Sequence, residues 1–354
     1  MTSKHDKSVA VAMSGGVDSS VAAALLTREG WDIHGVTMIL PRYGTSEGKP
    51  RRATEDAREV AEILDIPLEI YDCRSWFEET VLEHFVQEYA SGRTPNPCVH
   101  CNRQVKFGFL MDKIKAIGCD HLATGHYARV SQDPETGRYH LRAGAGAEDQ
   151  SYFLFGLSQK QLADAVFPLG EKDKTEVRAL ATEFDLPVHD KPQSQDLCFL
   201  PHGGYRELLR KRCPELAEPG PIIHVSGELL GKHHGIIDFT IGQRRGIGIS
   251  WSEPLYVVRI EPNCNRIVVG EKHHIMKNNC RLTNLNWVSR ICSETPFRAS
   301  VRIRYRHPGT LATVAPQPND SAEISFDEDQ KAPTPGQAAV FYDGPTVLGG
   351  GIIE

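Results

Sequence analysis

Between Val9 and about Leu200, short apolar runs alternate with longer segments whose apolar positions recur at helical spacing. This alternation predicts a parallel sheet wound with helices on both faces, a doubly wound α/β fold. VAVAM (Val9 to Met13) reads as the first strand, and the apolar positions of VAAALLTRE fit a helix that stops at Gly30. IHGVTMIL and IPLEIYDC read as the second and third strands, with ATEDAREVAEILD as the helix between them. Two more helices are expected over Ser75 to Tyr89 and Gln104 to Ile117, and HLATGH marks the next strand end.

Beyond Pro201 the pattern changes. GGYRELLRKR keeps a helical period, after which Gly, Pro and β-branched residues dominate; PIIHVSGELLGKHHGIIDFTIGQ predicts a small, mostly β unit. A second β-rich stretch starts near Asn278 and runs through FRASVRIRYRH to VLGGGIIE, the pattern of a small barrel or sandwich. The expected division is 1–201, 202–275 and 276–354, in a chain whose 354 residues exceed one comfortable core.

Composition narrows the class. With 40% hydrophobic and 24% charged residues, the chain is neither disordered, collagen-like nor coiled-coil. The net charge of −6 opposes a general coat of positive charge, so an RNA partner must meet a local basic patch. No run reaches membrane-helix length and no secretory signal is visible, so no membrane contact and a cytoplasmic location are expected. The nine cysteines are odd in number and scattered, which argues for reduced thiols over a disulfide framework.

Ser14-Gly15-Gly16-Val17-Asp18-Ser19-Ser20 stands where the first strand turns into the first helix, so backbone N–H groups and the positive helix end gather on one spot. The loop lacks the Lys of GxxxxGK[ST] and the spacing of GxGxxG, so it is neither a kinase-type loop nor a dinucleotide fingerprint. It resembles the pyrophosphate loop of ATP pyrophosphatases, which implies attack on the α-phosphorus of ATP, transfer of AMP and release of pyrophosphate. The resemblance implies a nucleotide site at Ala12, Met13, Ser14, Gly15, Gly16, Val17, Asp18 and Ser19, with Mg²⁺ between the phosphate oxygens. Met38 and Gly125, at the carboxyl ends of the next strands, are expected to frame the adenosine.

Two cysteine motifs follow. Thr94-Pro95-Asn96-Pro97-Cys98-Val99-His100-Cys101-Asn102 places a CxxC in a proline-stiffened loop just before a helix carrying Lys106, a setting expected to lower thiol pKa values. Ser194-Gln195-Asp196-Leu197-Cys198-Phe199 adds a cysteine where the α/β region ends. SGGVDSS, TPNPCxxCN, ATGHY, DQSYFLF, SQDLCF and GQRRGIGI occur in that order. In this the chain resembles the tRNA-specific 2-thiouridylases, the MnmA family, from Val9 to the C-terminus.

The resemblance implies ATP-dependent 2-thiolation of the wobble uridine of tRNA. Cys198 would carry a persulfide received from a sulfur-relay protein or cysteine desulfurase, and Cys101 would act with it, ending in a Cys101–Cys198 disulfide or freeing hydrosulfide. It also implies base or tRNA contacts at Asn96, Pro97, Cys98, His126, Glu148, Asp149, Gln150, Arg304, Tyr305 and Gln337. Where Cys98 stands, the best-known form of the family has an aspartate. That departure leaves a second arrangement open, in which Cys98, Cys101 and Cys198 ligate a [4Fe–4S] cluster with one open iron; structural zinc is a third, although a second CxxC or His pair is not evident.

Arg302, Arg304 and Arg306 alternate with Ile303 and Tyr305, which predicts a strand with one basic face suited to phosphate contacts. Arg244-Arg245 and Arg210-Lys211-Arg212 are further candidates for RNA contact, and the remaining cysteines read as inert. Two other functions remain: an amide or amidine synthetase using the same loop, which needs no paired cysteines, and a non-catalytic RNA-binding or iron–sulfur protein with a regulatory nucleotide site.

Overall fold

Val9, Ala10 and Val11 are fully buried, as both faces of a central strand of a parallel sheet require. They lie in β1 (Ser8–Ala12), at the middle of a five-stranded sheet with β2 (Asp32–Ile39), β3 (Leu68–Asp72), β4 (His121–Ala123) and β7 (Ala165–Val166) in the order β3-β2-β1-β4-β7. Every pairing in this sheet is parallel. The computed structural model describes residues 8–41, 43, 51–191, 197–200, 204–290 and 294–354. Ser194 to Asp196, Pro201 and Cys292 of the motifs above lie outside them.

Helices cover both faces of the sheet. Val9 and Val11 pack with α1 (Val17–Arg28), α2 (Arg51–Ile63) and α8 (Lys174–Glu183) on one face. Ala10, Val36 and Leu122 pack with residues 107–114 on the other. The segment 74–90 comprises α3 (Arg74–Phe77), a π-helical turn and α4 (Glu83–Ala90). Its Phe77, Phe85 and Val86 face the next unit, together with α9 (Tyr205–Arg212). That unit is a four-stranded sheet, β10-β11-β8-β9, built from β8 (Gly220–His224), β9 (Leu229–His233), β10 (Tyr256–Glu261) and β11 (Arg266–Gly270).

The last unit is a closed barrel. β12 (Met276–Trp287), β13 (Phe297–Arg302), β14 (Thr310–Gln317), β15 (Ser321–Lys331), β16 (Ala338–Asp343) and β17 (Thr346–Ile353) run in the order β12-β15-β14-β13-β16-β17, and β12 pairs back with β17. Closure removes the exposed edges that an open small sheet would leave.

One element departs from the expected pattern. A hairpin of β5 (Ala128–Gln132) and β6 (Tyr139–Ala143), within the α/β region, joins the barrel sheet through β17, with Thr346 opposite Arg142 and Val347 opposite Leu141. Side chains reinforce the joint. Asn286 donates to the carbonyls of Phe155 (2.6 Å) and Leu157 (2.9 Å), and Arg138 donates to those of Trp287, Val288 and Arg290. Among the described residues no helix is long and apolar enough to cross a membrane.

Candidate functional site

The phosphate loop joins β1 to α1. Gly15 has φ +71°, and α2 presses so close that a Cβ there would lie 2.4 Å from the Ala53 carbonyl oxygen. The Ser19 hydroxyl accepts the Ser14 N–H at 3.1 Å and donates to the Gly16 carbonyl, closing the loop on itself. Gly125, after β4, lies against the loop: a Cβ at 125 would meet the Ser19 nitrogen at 2.7 Å and the Asp18 carbonyl carbon at 2.8 Å. Met38, near the end of β2, pairs in register with Tyr71 at the same edge of the sheet.

Four side chains around the loop were not singled out for it in the sequence. Asp18 accepts from the Tyr127 hydroxyl (2.7 Å) and from Lys174 Nζ, while Lys191 Nζ donates to the Gly15 carbonyl (3.1 Å) and to Asp56. Lys174 and Lys191 thus bring ammonium groups to the loop from distant positions, each paired with a carboxylate, Asp18 and Asp56 respectively. Burial, reinforced by Asp18, raises the Tyr127 phenol, so it donates to the carboxylate as a neutral group. Of these, Tyr127 alone carried a signal, as the last residue of ATGHY.

The CxxC is helical. Asn96 is the N-cap of α5 (Pro97–Cys101) and Pro97 takes the first turn, where its missing N–H costs nothing. Cys98 therefore sits in the first turn and Cys101 one turn on, continuing into a π-helical turn over Asn102–Leu110 that carries Lys106. Nearness to a helix start and a cation predicts acidic thiols, and the structure reverses this. Burial pushes the Cys98 thiol up to about 11 and the Cys101 thiol up to about 12, outweighing the Lys106 ammonium that pulls both down. The Cys198 thiol acts electrostatically on both, so the three cysteines share one neighbourhood, with Cys198 exposed and Cys101 buried.

Their protonation has a direct readout. In the resting protein Cys98 and Cys101 are expected to react with iodoacetamide roughly tenfold or more slowly than exposed Cys264 at pH 7.5. Because the thiolate fraction below such a raised pKa grows about tenfold per pH unit, the lag narrows as pH climbs toward 11. Peptide mapping by mass spectrometry checks both.

His126 borders this group. Its Nε2 is 3.4 Å from Lys106 Nζ and its Nδ1 is 2.6 Å from the Thr124 hydroxyl. Burial first, and Lys106 second, hold its pKa well below the ordinary histidine range, so the imidazole is neutral. Lys106 donating to Nε2 assigns the ring proton to Nδ1.

The segment 148–153 links the sites. Gln150 bonds the Tyr127 backbone through both its N–H and its side-chain oxygen, and Asp149 accepts from the Gly144 and Ser151 amides and from Arg302 at 2.7 Å. Phe153 stacks on Tyr305 with ring centres 4.4 Å apart, and its carbonyl accepts from Asn102. Gln337 donates to the Thr94 (2.8 Å) and Pro95 (3.3 Å) carbonyls, so the barrel braces the turn that leads into α5. Glu148 is half-buried, and its charge helps to raise Tyr127 and Tyr305.

The basic-strand expectation is corrected. β13 ends at Arg302, which is ion-paired with Asp149 and lies over the Tyr342 ring at 4.2 Å, so its charge is used inside the protein. Arg304 and Arg306 follow in an exposed turn. Arg210, Lys211 and Arg212 each pair with a carboxylate, Asp238, Glu207 and Glu78 or Glu83 respectively, which weakens them as free phosphate contacts. Arg244 and Arg245 are exposed, and Arg244 lines a groove of about 490 Å³ with residues 246–255. Cys73, Cys119 and Cys213 are buried, with thiols raised by burial.

Comparison with known proteins agrees along the whole chain. The tRNA methyl transferase HUP domain model matches residues 7–202, the tRNA methyl transferase PRC-barrel domain model residues 206–271, and the aminomethyltransferase beta-barrel domain model residues 277–353. A tRNA-specific 2-thiouridylase MnmA of Syntrophotalea carbinolica is 48% identical over 352 residues, covering 99% of both chains. Those of Moorella thermoacetica and Nostoc punctiforme are 45% and 46% identical, covering 97% and 98% of this chain and 98% and 99% of theirs. A solved 4-thiouridine synthetase–RNA complex with bound ATP overlaps more loosely, at 21% identity and a TM-score of 0.38 over 59% of this chain and 51% of that one. With relatives of that name matching it from end to end, the chain belongs to the tRNA-specific 2-thiouridylase MnmA family.

Proposed function

We propose that the protein is a tRNA-uridine 2-sulfurtransferase that converts the wobble uridine to 2-thiouridine at the expense of ATP. The observation that carries this reading is the meeting of Cys98, Cys101 and Cys198 beside neutral His126, with Tyr127 running from there to Asp18 of the phosphate loop. Methyl transfer, the activity in two of the matching domain descriptions, needs neither an AMP-forming loop nor paired thiols. An amide or amidine synthetase would have no use for the cysteines.

Uridine O2 attacks the α-phosphorus of ATP and pyrophosphate leaves toward the backbone of Ser14 to Ser19, with Lys174 and Lys191 beside it. The Asp18 carboxylate would help to hold a Mg²⁺ ion, which would supply charge neutralisation for the departing pyrophosphate. The terminal sulfur of a Cys198 persulfide then attacks C2, and AMP departs with the former O2. Cys101 next attacks the Cys198 sulfur; the bond between the two persulfide sulfurs breaks, 2-thiouridine is released and a Cys101–Cys198 disulfide remains for reduction by an external thiol. Exposure of Cys198 suits transfer from a sulfur-relay protein or a cysteine desulfurase, and burial of Cys101 protects it from other oxidants. A reducing cytoplasm fits this cycle.

In this reading residues 1–201 handle ATP and sulfur, 202–275 form the central β unit and 276–354 the barrel. Asn96, Pro97, His126, Glu148, Asp149 and Gln150 surround the target base, and Arg304, Tyr305 and Gln337 approach the tRNA from the barrel. Supplied with unmodified tRNA and ATP, the purified chain is expected to form AMP and pyrophosphate in equal amounts. Release of ADP, or no tRNA-dependent turnover, would overturn the assignment.

A second reading rests on Cys98. The Cys198 thiol acts electrostatically on Cys98 as it does on Cys101, and the three cysteines would hold a [4Fe–4S] cluster that would supply an open iron for the sulfur donor. Zinc fits less well. Among the described residues these three sulfurs do not all lie within 4.8 Å of one another, whereas tetrahedral zinc with 2.3 Å bonds needs roughly 3.8 Å. Iron and labile-sulfide assay after anaerobic purification, with Cys98→Ala as comparison, separates the persulfide and cluster readings.

A further inference from the structure

The turn between β11 and β12 carries Glu271-Lys272-His273-His274, far in sequence from the cysteine motifs. One ligand atom from each of Glu271, His273 and His274 lies within 4.8 Å of the others. The carboxylate is held at both oxygens. Trp251 Nε1 donates to Glu271 Oε1 at 2.9 Å, and His224 Nε2 is 3.1 Å from Oε2. The Nδ1 of His224 accepts the Ser226 N–H at 3.3 Å, which leaves the proton on Nε2, so His224 donates to Glu271. Stacking of His224 on Trp251, with ring centres 5.0 Å apart, fixes both donors.

His274 supplies the independent sign of a missing ligand. Its Nδ1 is buried and makes no hydrogen bond, although it lies 3.3 Å from Glu271 Oε2. A desolvated ring nitrogen without a bond is costly, and a cation shared with Glu271 Oε2 would give it a partner. The ring is seated directly on Gly270, where a Cβ would come within 2.9 Å of Nδ1, so only glycine at 270 leaves room for the imidazole in this position. His273, exposed, stands over His274 with ring centres 3.9 Å apart and leaves one side open to water.

We propose that Glu271, His273 and His274 bind one divalent cation of the zinc or nickel class, with Trp251 and His224 orienting the carboxylate. Two imidazoles and one carboxylate with an open position suit a borderline transition metal, and hard magnesium or calcium would demand more oxygen ligands. Orientation by outer hydrogen bonds is what such a site needs. The ligands occupy the connector between the central sheet and the barrel, next to Ile275, whose carbonyl accepts the Ala332 N–H at 2.7 Å. An ion here would tie β8, the loop before β10 and this connector at one point, a structural role independent of the sulfur chemistry.

The test uses the full chain carrying Cys98→Ser and Cys198→Ser, to remove the competing sulfur ligands, and stripped with chelator. Titration with zinc by calorimetry is expected to give one site. Cobalt in its place should show ligand-field absorption without a sulfur-to-metal charge-transfer band. His273→Asn alters an exposed side chain and should weaken zinc binding tenfold or more with the fold intact by circular dichroism. Trp251→Phe should weaken it roughly tenfold through the lost hydrogen bond. Nickel should quench tryptophan fluorescence, and this quenching should disappear in Trp251→Phe. No zinc uptake by this stripped chain, or equal affinity before and after adding His273→Asn or Glu271→Gln, would overturn the proposal.

Discussion

Changing Cys198 to serine is expected to abolish 2-thiouridine formation, a loss on the order of a thousandfold or more, while pyrophosphate release with tRNA and ATP continues. The split follows from where the groups lie. Cys198 belongs to the neighbourhood of Cys98, Cys101 and Lys106, whereas the proposed pyrophosphate site is built from other residues, the β1–α1 loop and its flanking lysines. Serine keeps the size of the side chain but cannot carry a second sulfur. Thiolated tRNA, retarded in a mercury-containing gel, and released pyrophosphate are measured on the same samples. Full thiolation by this variant with sulfide as donor would remove the persulfide role from Cys198, and loss of both signals would place the cysteine in the adenylation step.

For Gly125→Ala both signals are expected to fall together. The new Cβ would lie 2.7 Å from the Ser19 nitrogen and 3.0 Å from the Asp18 Cβ, closer than side-chain carbons approach other atoms, so the first turn of α1 or the end of β4 must shift. Displacing a binding loop by up to 1 Å costs on the order of a hundredfold in rate. Overpacking of this kind costs about 1–3 kcal/mol in stability, worth some 2–4 °C in melting temperature for each kcal/mol in a unit the size of the α/β domain that holds Gly125. AMP and pyrophosphate should therefore fall together, and sulfide should not restore thiolation, because the oxygen is never activated. Retention of wild-type AMP formation by a folded Gly125→Ala protein would show that the loop tolerates the contact and that the nucleotide lies elsewhere.

Much of this architecture is local and was legible as such. Val9 to Met13, the helix after SGGVDSS, the strand IHGVTMIL and the glycine after HLAT form from residues adjacent in sequence, so period and punctuation mark them. Lys174 and Lys191 were not legible in the same way, because only the closing of α8 and the segment after it over the loop brings their ammonium groups to Asp18 and Gly15. The cysteines were legible as a set but not in their protonation. Position in a helix argues for acidity, and burial, which no local pattern reports, reverses it at Cys101. The arginine alternation after Phe297 survives as alternating exposure through Arg306, but the chain leaves the sheet after Arg302, where Asp149 and the Tyr342 ring capture the first guanidinium.

The β5–β6 hairpin bears on how a large substrate is admitted. A rigid-body swing that parted the last eighty or so residues from the nucleotide unit would have to tear main-chain bonds at Val347 and expose a raw strand edge, a liability that folded proteins avoid. Any opening that lets an anticodon loop reach the thiols must therefore come from elsewhere. Among the described residues the central sheet pairs with neither neighbour and meets the α/β unit through a buried apolar cluster that includes Phe85 and Phe199, so a shift there would break no β-ladder.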